Sequence, residues 1–435
     1  QLIRLLGTKD DGGKALVSVN LAAKIEDHTQ WRKWVIPEQI RHEPIHRWFV
    51  FPHSFTHDLV YVLISDWKIS QGCRILDPFV GAGTTLLAAK SLGISAIGYD
   101  LSPLAVFVTN VKVNDYDQRK VMLAWQSLSK RLNASPESRQ EDFPDLIEKA
   151  FSGKALDIFA HIRREIYREK NKKIRDLFLL ALLFILKKFS KAIPDGGWLR
   201  WSSHRIYCSQ IIPAFKEQVN FMIADLALFS TNHVKGLWKA IIADARELPD
   251  SDETFDCLIT SPPYPNRHDY TRIFNIELLF SFLDQAGIKR LRYQSFESHV
   301  ESRPQRNNGG GYCESALLES TLKALQAKPH DERIPPMLKG YFKDCYLNLK
   351  TSARLMKPGA KMAYVVGNAC YSGVPIPVDE ILAHIGDQIG LKVDRIIVTR
   401  YRGNSAQQMG KYGRQPSRES VVIFETFRHR GHKNE

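Results

Sequence analysis

Arg74-Ile75-Leu76-Asp77-Pro78-Phe79-Val80-Gly81-Ala82-Gly83-Thr84-Thr85-Leu86-Leu87-Ala88-Ala89-Lys90 is the stretch whose reading decides the fold. Its first part is a short apolar run that reads as a buried strand. The glycines that follow suit a tight turn in which a ligand can approach the backbone, and Leu86 to Lys90 continues as a helix. Strand, glycine turn and helix in this order make a βα unit. It is neither a P-loop, since GK[ST] is missing, nor the GxGxxG fingerprint. Ser95-Ala96-Ile97-Gly98-Tyr99-Asp100 supplies the next strand. Asp100 lies roughly 20 residues past the glycines, where ribose-binding acids sit in dinucleotide folds, because a carboxylate accepts two hydroxyl protons. An alternative use of Asp100 is to cap the helix that starts near Pro103.

A second decisive stretch is Phe255-Asp256-Cys257-Leu258-Ile259, another buried strand, which leads into Thr260-Ser261-Pro262-Pro263-Tyr264. Two consecutive prolines fix φ and donate no backbone hydrogen bonds, so the chain leaves the strand rigid and extended. Carbonyl and hydroxyl oxygens at such a corner accept N–H bonds from a planar ligand with an exocyclic amino group, and Tyr264 offers a ring to stack on it. Taken alone, the corner also fits a proline-rich turn after a core strand.

The two motifs together resemble the S-adenosylmethionine-dependent amino-methyltransferases that modify exocyclic nitrogens of nucleic-acid bases. The resemblance spans about Arg41 to Glu425, and within the family Ser-Pro-Pro-Tyr most resembles the cytosine-N4 DNA enzymes. It implies an α/β class I methyltransferase fold: a Rossmann-like, mostly parallel seven-stranded sheet with a helical insertion. It implies S-adenosylmethionine along Asp77, Pro78, Phe79, Gly81, Gly83 and Thr84, with Asp100 at the ribose, Asp244 at the adenine amino group and Phe55 beside the methionine end. It implies a catalytic corner of Ser261, Pro262, Pro263 and Tyr264, acting on a base flipped out of double-stranded DNA. Adenine-N6 methylation uses the same machinery, and an RNA base methyltransferase or a non-catalytic DNA-binding protein on this fold are further alternatives. A restriction-modification role, with defence-system partner subunits, follows by association only.

Seven strands emerge, near residues 73–79, 95–100, 239–247, 255–261, 360–368, 391–401 and 419–425, the last two as an antiparallel hairpin at one edge. Asp77, Asp100, Asp244 and Ser261 all fall at the carboxyl ends of strands, where such sheets bind ligands. Residues 1–113 and 239–435 form the methyltransferase part, and 114–238 is a mostly helical basic insertion, a candidate for nucleic-acid recognition. Its run Arg163, Arg164, Arg168, Lys170, Lys172, Lys173, Arg175 is either a solvated helix face or, with Trp198, Arg200, Trp201, His204 and Arg205, a DNA-facing one. Apolar spacing predicts a helix from Phe55 to Ile64, capped by Ser54 or Thr56. Further helices are expected from Ile273 to near Gly287 and from Tyr341 to Met356, the latter closed by a Lys357-Pro358-Gly359 turn. His268 and Asp269 lie near the corner as contacts to the base or a phosphate. Asn307-Asn308-Gly309-Gly310-Gly311 beside Arg303 and Arg306 reads either as a mobile loop that orders on the substrate backbone or as plain disorder, and the polar connection from Arg402 to Arg414 reads as a loop on the nucleic acid.

The net charge of +14 implies a polyanionic partner. The six cysteines are widely spaced, without a CxxC pair, which argues against zinc and a disulfide framework and fits a reducing cytoplasm. Leu177 to Leu186 would rise only about 15 Å as a helix, half a bilayer, so a buried helix is expected and no membrane span. No metal is expected.

Overall fold

The computed structural model describes residues 21–136, 139, 141–195, 198–203, 206–229, 235–250, 254–303, 311–329, 331–403, 410, 413 and 416–427. Its strands are β1 Ile25–Asp27, β2 Arg74–Asp77, β3 Ser95–Asp100, β4 Ala192–Asp195, β5 Trp198–Trp201, β6 Trp238–Ile242, β7 Phe255–Thr260, β8 Met356–Gly367, β9 Ala369–Tyr371, β10 Val374–Ile376, β11 Lys392–Arg402 and β12 Ser417–Glu425. Eight of them form one sheet in the order β1-β11-β12-β8-β7-β2-β3-β6. All neighbours pair in parallel except β12, which runs against both β8 and β11.

The α/β sheet expected from the sequence is therefore present, with one strand more than the seven foreseen. β11 and β12 are the expected hairpin, but β1 pairs on the far side of β11 and takes the edge. The chain passes outward from β2 through β3 to β6, then returns to place β7 on the other side of β2. The switch point thus lies between β2 and β7, where a doubly wound sheet leaves a crevice at its carboxyl edge. Both strands are buried on both faces, which explains their continuous apolar text.

Helices α1 His57–Asp66, α2 Thr84–Ser91 and α3 Pro103–Val113 cover this half of the sheet. Neither Ser54 nor Thr56 caps α1 with its side chain; Ser54 Oγ donates to the Phe51 carbonyl instead. Gly83 starts α2 at φ +83°, and a Cβ there would lie 2.8 Å from Thr109 Oγ1, so α2 and α3 meet in a space only glycine leaves open.

The 114–238 stretch is mostly helical, with α4 Gln118–Arg131, α5 Asp145–Ala150, α6 Gly153–Tyr167, α7 Lys172–Leu186 and α8 Ile211–Leu228, plus the β4–β5 hairpin. α7 is the buried apolar helix anticipated for Leu177 to Leu186. Among the described residues no helix is long and apolar enough to cross a membrane. Its core is continuous with that of the sheet. Asp225 of α8 is fully buried and accepts from the Ile45 amide at 3.1 Å, from Trp48 Nε1 at 3.0 Å and from the Arg47 guanidinium. Part of the basic run is tied up in ion pairs, in which the Arg163 side chain is largely buried while those of Arg168 and Lys172 stay exposed. Arg163 pairs with Glu141, donates to the Phe280 carbonyl and lies over the Phe143 and Phe280 rings; Arg168 pairs with Glu165 and Lys172 with Asp176.

The remaining helices are α9 Tyr270–Ile273, α10 Asn275–Ser281, α11 Gln285–Gln294, α12 Ala316–Gln326, α13 Ile334–Arg354 and α14 Val378–Gln388. The helix expected to run from Ile273 to Gly287 ends at Ser281, and Gly287 lies inside α11, whose cap Asp284 accepts from the Gly287 amide. Lys357-Pro358-Gly359 is part of β8 rather than a turn, where the register with β7 shifts between Phe255 and Cys257. His204, Arg205, Arg306, Asn307 to Gly310 and most of the connection from Asn404 to Arg414 lie outside the described residues.

Candidate active site

A cavity opens over the switch point, lined by residues 51–55, 77–82, 84, 100–102, 244–246 and 261–264 together with side chains from α9, α10 and α11 and by Ser295 and Phe296. Of the sequence-predicted residues, Phe55, Asp77, Pro78, Phe79, Gly81, Thr84, Asp100, Asp244, Ser261, Pro262, Pro263 and Tyr264 all line it. Gly83 is the exception; its place is the α2–α3 contact.

Each strand end delivers one acidic or polar group. Asp77, buried at the end of β2, accepts from Thr260 Oγ1 at 2.6 Å and from the Phe79 amide at 3.2 Å. It ties the glycine turn to the strand that carries the proline corner. Burial pushes its carboxyl up to about 6, against the pull of these donors. Asp100 at the end of β3 accepts from the Gly81 amide at 3.0 Å and the Ser102 amide at 2.9 Å, and burial raises it to about 6 as well. Gly81, at φ +48°, is held open by that bond. Asp244 lies two residues beyond β6 rather than within the longer strand expected. Arg246, buried and unforeseen, donates to both Asp244 oxygens, at 2.9 and 2.6 Å, and to Asp344 Oδ2 at 3.0 Å.

The proline corner follows β7 directly. Ser261 Oγ donates to the Val365 carbonyl at 3.0 Å, so its lone pairs stay available to a donor. Tyr264 is only 4% exposed. Its hydroxyl donates to Glu419 Oε1 at 3.0 Å, the Arg402 guanidinium lies 5.7 Å from its ring centre, and a Cβ on Gly367 would come within 2.8 Å of the ring. Glu419 is itself buried and paired with Arg400. Burial raises the Tyr264 hydroxyl well above its usual range.

Beyond Phe55, the opposite wall was not foreseen from the sequence. Phe51 packs on Phe274 at 4.3 Å between ring centres. Beneath it, the fully enclosed Lys112 of α3 donates to the carbonyls of His46 at 2.9 Å, Phe49 at 2.7 Å and Ala82 at 3.0 Å. Burial pushes its ammonium down to about 7. Asp269, His299 and Glu301 bring potential metal-ligand atoms within 4.8 Å of one another. Their carboxylates are already engaged: Arg292 Nε lies 2.8 Å from Asp269 Oδ2 and Arg272 2.6 Å from Glu301. This network orients α9, whose cap is Asp269.

The family model described as DNA methylase, of the N6 and N4 type, matches residues 18–109. The Type II methyltransferase M.BsoBI of Geobacillus stearothermophilus is 30% identical over 460 residues, covering 92% of this chain and 89% of the relative. The chain belongs to the N6/N4 amino-methyltransferase family of DNA methylases. The Type II methyltransferase M.AvaI of Nostoc sp. is 29% identical to this DNA methylase, covering 90% and 89% of the two chains. Among solved structures, a SAM-dependent methyltransferase from Methanosarcina mazei aligns at 9% identity with a TM-score of 0.30, over 84% of the methylase and 97% of that chain.

The cofactor of the methylase is S-adenosylmethionine, and the cavity fits it chemically. Asp100 and Asp244 are hydrogen-bond acceptors for hydroxyl and amino groups, and the partly exposed Phe79 and the ring of Phe296 give an apolar slot. The substrate is DNA.

Proposed function

We propose that this methylase transfers a methyl group to the N4 amino group of cytosine in double-stranded DNA, on a base rotated out of the helix. What carries the reading is the Ser261-Pro262-Pro263-Tyr264 corner at the carboxyl end of β7, opening into the same cavity as Asp77, Asp100 and the glycine turn. The Ser261 hydroxyl and the Pro262 carbonyl accept the two amino protons. Hydrogen-bonding both N–H groups turns the nitrogen lone pair out of conjugation with the ring and aims it at the methyl donor. The N–C bond forms as the sulfonium S–C bond breaks, S-adenosylhomocysteine departs, and the cationic nitrogen then releases one proton to solvent. The Tyr264 ring, fixed by Glu419 and Arg402, stacks on the base. S-adenosylmethionine supplies the methyl group on a sulfonium, already a good leaving group, so the protein's contribution is orientation and local electrostatics. Asp100 receives the ribose hydroxyls, Asp244 the adenine amino group, and Phe55 with the backbone of residues 77–84 encloses the remainder.

The relatives' description as Type II methyltransferases supports a place beside a restriction endonuclease in the cytoplasm. The β4–β5 hairpin of the 114–238 stretch packs on α9, beside the cavity, and carries Trp201 half exposed, which supports that stretch as a DNA-contacting element.

The test is to incubate the protein with labelled S-adenosylmethionine and mixed-sequence DNA, digest to nucleosides and identify the product by mass spectrometry. N4-methylcytosine is expected; N6-methyladenine in its place overturns the choice of base. Asp100→Asn is expected to weaken S-adenosylmethionine about tenfold or more in calorimetry, since an amide oxygen is a poorer acceptor than a carboxylate. The carboxyl titrates at about 6, and acceptor strength is lost as pH falls through that value. Wild-type affinity should therefore decline below about pH 6, and the Asn variant should be flatter there; identical pH profiles would remove Asp100 from this role.

A further inference from the structure

Beside the proline corner lie two histidines to which the reaction described above gives no task. His53 lines the cavity, with its ring centre 5.9 Å from that of Tyr264 and 4.7 Å from that of His268. Both are held by unusual backbone. His53 has φ +64°, and Arg267, immediately before His268, has φ +68°. Left-handed backbone in a residue other than glycine persists only where the surroundings enforce it, and such strain concentrates at binding sites. At Arg267 and His268 the holding bonds are explicit. The Arg267 amide donates to the Ser298 carbonyl at 3.1 Å, and the His268 amide to Asn266 Oδ1 at 3.2 Å.

The pair is also chemically unfinished. His268 Nδ1 is buried without a hydrogen-bond partner among the described residues. A buried polar nitrogen without a partner is costly, so the arrangement calls for a ligand group that completes it. Burial, then the other histidine, then Arg402 and Arg400, push His53 down to about 4; burial and then Arg402 lower His268. Both rings are therefore neutral, and each offers one N–H and one lone pair. The Tyr264 ring also lies beside His53.

We propose that His53 and His268 read the Watson–Crick edge of the flipped base, donating to N3 and O2 of cytosine while the proline corner holds N4. This rests on the cytosine reading above and adds the selection of base to it. The logic is positional. Next to its amino group cytosine presents two acceptors in succession, N3 and O2. Adenine presents only N1, followed by a C–H. Adenine placed in the corner would leave one of the two donors buried and unpaired. Neutral imidazoles suit this task better than cations would, because they add no charge to a chamber already bordered by Arg400 and Arg402.

The experiment uses the full chain and a duplex containing its own methylation site, with cytosine or adenine at the target position. The ratio of kcat/KM for the two bases is measured for wild type, His53→Ala, His268→Ala and His268→Asn. Loss of one donor is expected to reduce the preference for cytosine about ten- to hundredfold. Asparagine, which retains an N–H donor, should restore part of it. An unchanged ratio in both alanine variants overturns the proposal. If a variant turns over neither base, equilibrium binding of the two duplexes decides in the same way: lost preference supports the pair, retained preference refutes it. The cytosine reading fails separately, on wild type, if no N4-methylcytosine is formed, and the proposal then falls with it.

Discussion

A Tyr264→Ala variant is expected to methylate DNA about a thousandfold more slowly than wild type under single-turnover conditions, while binding S-adenosylmethionine nearly as well. Two losses combine. Stacking of a base on an aromatic ring contributes about 1–3 kcal/mol. Misplacing a reacting atom by an ångström costs about a hundredfold. The structure indicates how the ring is kept in register: Glu419 accepts a hydrogen bond from its hydroxyl, Arg402 lies beside its face, and Gly367 leaves room at its edge. Tyr264→Phe keeps the ring and gives up only the bond to Glu419, so it should remain within about tenfold of wild type. An alanine variant within tenfold of wild type would mean that the base is not held against this ring. Because Tyr264 is buried, thermal denaturation of both variants must accompany the kinetics.

Lys112→Met should destabilise the protein by about 3 kcal/mol and weaken S-adenosylmethionine binding as well. Methionine fills a similar volume but abandons the three carbonyls of His46, Phe49 and Ala82, each enclosed away from water. Stranding a buried hydrogen-bonding group costs about 1–3 kcal/mol, and partial relaxation keeps the sum below three full penalties. The coupling to the cofactor arises because Phe49 leads into the 51–55 wall while Ala82 belongs to the glycine turn, so one ammonium sets the gap between the two. Urea denaturation with and without saturating cofactor measures both effects. A loss below 1 kcal/mol would show that the loops hold their positions without it.

The parts of the site readable in the sequence were those in which one segment states its own geometry. Glycines after an apolar strand, an acid at a strand end and two prolines after another all announce themselves locally. That is why Asp77, Asp100 and the 261–264 corner converge on one cavity as expected. What escaped depends on segments far apart in the chain. Glu419 meets Tyr264 across the sheet from the last strand, and Arg246 only becomes meaningful with Asp344 beside it. Lys112 sits in a mostly apolar helical run, where a lysine normally reaches solvent. β1 is three residues long and pairs through its backbone, too short for alternation to show. The helix boundary at Ser281 was missed because Gly287 looked like a terminator, when Asp284 in fact starts a new helix there.

Asp225 bears on how such an enzyme can change over evolutionary time. Its carboxylate is neutralised by an amide, an indole and a guanidinium that all belong to residues 45–48, far upstream of the 114–238 stretch. Moving that stretch alone into a chain without an equivalent of Arg47 and Trp48 would leave a sequestered negative charge with no counterpart to meet it. The stretch is thus wired to the first fifty residues of the chain as firmly as to its own neighbours.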